Sequence, residues 1–92
     1  MRRARIEPRK NFMCRVAVNW KDQGGDAKTQ AGMLEDRSPS GAGISLPKAI
    51  PAGTRIKIIE NNRELAGTVR YCRPEDSGYF LGVQLDQSNE SG

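Results

Sequence analysis

Wherever apolar residues recur in this chain they recur at every second position, and no segment sustains them at the three- and four-residue spacing of a helix face over three turns. Alternation of this kind sends successive side chains to opposite faces of an extended strand, so the chain has to bury its apolar groups by pairing strands. Phe12 to Trp20 (FMCRVAVNW) sets Cys14, Val16, Val18 and Trp20 on one face, and the KDQGGD that follows is hairpin chemistry. Ala27 to Glu35 (AKTQAGMLE) reads as a weaker strand, and Ala42 to Leu46 (AGISL) as a third. After the punctuation of IPAGT, Arg55 to Glu60 (RIKIIE) alternates Ile56 and Ile58 with Arg55 and Lys57. Beyond Asn61 and Asn62, Glu64 to Arg73 (ELAGTVRYCR) places Leu65, Gly67, Val69 and Tyr71 on one side, with Gly67 marking a bulge or a close backbone approach. PEDSG turns the chain again, and Tyr79 to Asp86 (YFLGVQLD) aligns Leu81, Val83 and Leu85.

Six short strands in 92 residues, with 36% hydrophobic residues and no internal repeat, make one small domain with a modest core. Closing those strands on themselves hides both sheet edges. The expected fold is therefore all-β: a small six-stranded antiparallel β-barrel over residues 12–86, preceded by an irregular N-terminal arm over 1–11 and followed by a polar tail over 87–92.

The arm carries the net charge. Residues 1–10 hold Arg2, Arg3, Arg5, Arg9 and Lys10 against Glu7, which accounts for the whole chain's +4; basic and acidic side chains cancel over the remainder. A neutral body with a cationic arm differs from a nucleic-acid binder whose basic stripe covers a face. The five aromatics form no close cluster for stacking bases, so a single-stranded nucleic-acid module is a disfavoured reading.

Histidine is absent, which removes the commonest general base and metal ligand together. No paired acid and base and no phosphate-cradling GxxxxGK[ST] loop take its place, so no catalytic residue, metal or cofactor is expected. Cys14 and Cys72 lack the CxxC spacing of a redox pair or zinc knuckle, and their positions in apolar runs predict two reduced, buried thiols. There is neither a run of about 18 apolar residues nor a basic segment leading into an apolar one at the start of the chain. A cytoplasmic protein without a membrane span is the expectation.

Two short motifs carry the chemistry. Within the arm, RIEPR spaces Arg5 and Arg9 four apart, and Pro8 between them favours an extended or turning arm over a helix. Between the second and third strands, EDRSPSGAGI holds Asp36, Ser38 and Gly41 in the spacing DxSxxG. Asp and Ser cap turn amides, and glycine accepts the positive φ that other residues avoid, so the stretch serves as a turn in any case. It also has the makings of a site. Arginine forks match phosphate oxygens and the O6/N7 edge of guanine, while a carboxylate accepts from the guanine N1–H and amine.

RxxxR followed by DxSxxG, with a strand and hairpin between them, resembles the PilZ domain, the bacterial receptor module for cyclic di-GMP. VNW at the end of the first strand, GAGISL, GTVRY and YFLGVQL are similar to the family's barrel, so the resemblance spans nearly the whole chain. It implies that Arg5 and Arg9 bind phosphate and guanine, that Asp36 and Ser38 hydrogen-bond a guanine, and that Gly41 shapes the loop. Arg3, Ala4 and Gly43 are additional candidates. Ala4, just before RxxxR, adds no further guanidinium, which by the resemblance favours one bound ligand over a stacked pair. Arg2, Arg3 and Arg37 are expected to steer a dianion at long range or to be solvated. Trp20, Tyr71, Tyr79 and Phe80 are expected to serve the barrel. The implied function is a second-messenger receptor whose arm orders over the ligand and signals to a protein effector; the alternative from the same family is a protein-interaction module that does not bind nucleotide.

Overall fold

Each of the six alternating runs forms a strand in the computed structural model of the chain, which describes residues 10–86. In chain order these are β1 (Lys10–Lys21), β2 (Ala27–Ser38), β3 (Gly41–Leu46), β4 (Arg55–Glu60), β5 (Arg63–Glu75) and β6 (Gly78–Leu85). All neighbours are antiparallel, and the order β1-β2-β3-β6-β5-β4 closes where β4 pairs back onto β1. The described residues contain no helix. Closure gives every strand a neighbour on both sides over part of its length, so no strand is an open edge throughout.

The interior follows from the alternation. Val18 opposes Ile58 and Ile58 opposes Leu65, so one layer of the core runs across β1, β4 and β5. Leu34, Ile44 and Leu81 form another across β2, β3 and β6, and all three are completely buried. Ile50, in the connection between β3 and β4, is completely buried too and joins the same core. The Val69 N–H donates to the Thr54 carbonyl at 2.9 Å and the Gly53 N–H donates to the Val69 carbonyl at 2.7 Å, which ties this connection to β5. Gly67 marks a close backbone approach: a Cβ there would stand 2.6 Å from the carbonyl oxygen of Gln84.

Three local expectations are corrected. Cys14 and Cys72 are free but only half-buried, packed against the margin of the core rather than inside it. β2 continues to Ser38, so Asp36 and Ser38 stand on a strand and the bend itself is only Pro39 and Ser40. Tyr71 does not share the inner face with Val69: a bulge between them turns it outward, and it is 47% exposed.

Candidate functional site

Two bulges build the outer face on which the DxSxxG residues lie. In β2, Leu34 pairs with Ile44 and Asp36 with Gly43, so Glu35 is an extra residue and the alternation slips by one. Leu34 points inward; without the slip Asp36 would do the same. With it, Asp36 joins Gly43 on the outside, and Ser38 joins Gly41 one pair further along. Arg37, opposite the buried Ala42, falls on the inner side and reaches Glu60 at the end of β4, Nη1 to Oε1 at 3.2 Å. It is an ion-paired strut and not the free steering charge expected of it.

Pro39 and Ser40 connect the strands, and β6 fixes them through a hydrogen bond from the Leu85 N–H to the Ser40 carbonyl, 2.9 Å. Neither Gly41 nor Gly43 has a positive φ. Their missing side chains matter for space instead. A Cβ on Gly43 would lie 2.5 Å from Cζ of Phe80 and 3.2 Å from Oδ1 of Asp36; one on Gly41 would lie 3.3 Å from the Val83 carbonyl oxygen and 3.8 Å from the Ser38 hydroxyl.

The second bulge supplies the floor. Tyr71 pairs with Gly82, and Phe80 lies across Gly43 from the adjacent β6. The two rings are 6.5 Å apart and inclined by 32°. The guanidinium of Arg73 sits 5.0 Å from the Phe80 centroid and 5.7 Å from that of Tyr71, within cation–π range of both. Arg70 donates a hydrogen bond to Gln84 at the margin. Arg70, Tyr71, Phe80, Gly82 and Gln84 border a groove of about 510 Å³ with Asp36, Ser38, Gly41 and Gly43 along one wall, a size suited to a small organic ligand. One wall accepts hydrogen bonds, the floor is aromatic and the margin is cationic.

Of the expected site residues, Asp36, Ser38, Gly41 and Gly43 thus share one wall of one groove. Arg3, Ala4, Arg5 and Arg9 lie outside the described residues. The described chain begins at Lys10, which pairs with Arg37 between Asp36 and Ser38. Tyr71, Phe80, Gly82, Arg70 and Gln84 were not read as site residues. The available signal was a glycine in the middle of each of two strands, Gly43 and Gly82, which announces a close approach by something else. Among the described residues, no group of three or more Cys, Asp or Glu side chains is placed to hold a metal ion, and no helix is long and apolar enough to cross a membrane.

The family model for the PilZ domain matches residues 3–92. No curated protein matches the chain.

Proposed function

The chain belongs to the PilZ domain family, binding modules known as receptors for cyclic di-GMP, and from that premise we propose that it binds cyclic di-GMP in the groove on the outer face of β2, β3, β6 and β5. The observation that carries this reading is the bulge at Glu35, which sets Asp36 and Ser38 on the same outer wall, facing an aromatic floor. The Asp36 carboxylate accepts from the N1–H and amine of one guanine, and the Ser38 hydroxyl adds a second hydrogen bond. Tyr71 and Phe80 offer faces for a base, and Arg73, held over both rings, adds positive charge for the dianion.

Arg5 and Arg9 supply the remaining contacts in this proposal. Arg9 is bonded to Lys10, the partner of Arg37, so its Cα is within about 3.8 Å of a residue that pairs inside the motif. In the proposal its guanidinium contacts a phosphate of the ligand. Ordering of the arm over the ligand would change the surface presented to a protein effector, the route by which a small domain without a catalytic site passes on a signal.

Calorimetric titration of cyclic di-GMP into the purified chain, with GTP and cyclic di-AMP as controls, tests the reading. Saturable binding specific to the guanine dinucleotide is expected, with near-complete loss in Arg9→Ala at micromolar ligand. No heat, together with a melting temperature unmoved by high ligand, would turn the reading to a family member that binds protein and not nucleotide.

A further inference from the structure

A second groove, of about 1110 Å³, shares no lining residue with the one of about 510 Å³ at Asp36. It lies at the other end of β2, where Lys28 stands eight positions before Asp36, about 26 Å of extended strand. We propose that this groove docks an acidic peptide segment of a partner protein, independently of nucleotide binding.

Its walls are the β1–β2 hairpin, the connection between β3 and β4, and the start of β4. They bear Lys21, Lys28, Lys48, Arg55 and Lys57 against a single acidic lining residue, Asp22. Three of the cations have partners: Lys28 faces Asp22 at 3.7 Å, Lys57 faces Glu64 at 3.2 Å and Arg55 faces Asp86 at 2.7 Å. Lys21 and Lys48 are exposed and have no ion-pair partner among the described residues. A partner surface complementary to these unpaired cations is acidic.

The apolar part of the groove sets the kind of polymer. Trp20 is half-buried, its ring resting on the core, and Ile56 is buried beside it; Ala27, Ala49 and Pro51 leave small apolar surfaces exposed. A lone, half-buried indole is not a row of rings on which successive bases stack. Asp22 is fixed in the hairpin by the Gly24 and Asp26 N–H groups, at 3.0 and 2.9 Å, and its charge is matched by Lys28. A peptide meets both kinds of surface, with carboxylates for the lysines and an apolar side chain for the patch around Trp20. Lysine ammoniums act as point charges, sufficient for carboxylates without the paired geometry that arginine gives phosphate.

The test uses the full chain and a fluorescein-labelled peptide of alternating glutamate and leucine, followed by fluorescence anisotropy and by the Trp20 indole N–H resonance. A lysine–leucine repeat of the same length and a labelled oligothymidylate are the controls. The expected result is saturable binding of the acidic peptide with a shift of the indole resonance. Lys21→Glu with Lys48→Glu breaks no ion pair and should weaken binding about tenfold or more. The indole shift in the unaltered protein keeps the test independent of how the double variant folds. Absence of binding overturns the proposal, as do shifts confined to the Asp36–Gly43 amides. So does tighter binding of oligothymidylate at the same indole, which would make the groove a nucleic-acid surface.

Discussion

The ring of Tyr71 occupies the space that a side chain on Gly82 would need: a Cβ there would overlap the ring carbons Cε2 and Cζ and stand 2.8 Å from the hydroxyl oxygen. The obstruction is the far end of a half-exposed side chain, so Gly82→Ala is expected to displace the ring and leave the barrel standing. A stability loss of about 1 kcal/mol is expected in thermal unfolding, the usual cost of mild overpacking. If Tyr71 is part of the floor under the ligand, cyclic di-GMP affinity falls in the same variant; an unchanged affinity would remove Tyr71 from the site.

Gly43→Ala probes the opposite wall. The added methyl meets Phe80 and crowds the Asp36 carboxylate, so it should disturb both a base-facing ring and the guanine acceptor. Losing one charge-assisted hydrogen bond costs about 1.5–3 kcal/mol, or about ten- to a hundredfold in affinity. Calorimetry on Gly43→Ala should show a loss in that range, with the Phe80 ring resonances shifted in the free protein.

Arg37 separates stability from binding. Its side chain is 21% exposed and that of Glu60 13%, so their ion pair is shielded more than a surface pair. Glu60→Gln is expected to lower stability by about 1 kcal/mol, measured by chemical denaturation, with cyclic di-GMP affinity unchanged. A drop in affinity without a drop in stability would instead make Arg37 a ligand contact.

Acid should loosen the barrel through two carboxylates. The Asp22 carboxyl is held below its ordinary value of 3.8 chiefly by the Asp26 N–H, with the Gly24 N–H and Lys28 adding to it against desolvation. Asp86 is held below the same value chiefly by the hydrogen bond from Arg55, which also attracts its charge. Both pKa values are lower in the folded chain than in the unfolded one. The stability they contribute is therefore fully present above the ordinary carboxylate range and is lost as pH falls through it and below. Melting temperature followed from neutral pH into acid should decline less steeply in Asp86→Asn and Asp22→Asn than in the unaltered chain. An identical decline would show that neither group is linked to folding.

Simple alternation was enough to read the barrel's interior: Val16 with Val18, Ile56 with Ile58, and Leu81 with Val83 and Leu85 are buried as their spacing implies. It failed where a strand gained a residue. Tyr71 continues the parity of Leu65, Gly67 and Val69, and only the bulge at Arg70 sends it outside. The bulge at Glu35 likewise decides which side of the sheet Asp36 occupies. A bulge is set by how two strands and their neighbours close around a core, so one strand's pattern does not contain it. The spacing of DxSxxG located the wall of the groove, whereas its aromatic floor came from β5 and β6, distant in sequence and joined to it through β3–β6 pairing. Of the two reasons for glycine in the motif, positive φ and room for a close approach, only the second holds at Gly43, where clearance for Phe80 and Asp36 excludes a side chain.

The most direct test of the central claim is amide chemical-shift mapping while cyclic di-GMP is added to the isotope-labelled chain. The account predicts that the largest shifts fall on Asp36 to Gly43 and on Tyr71 and Gly82, while Lys21, Lys28 and Lys48 stay still. Shifts concentrated in the groove around Trp20, or none at saturating nucleotide, would contradict it.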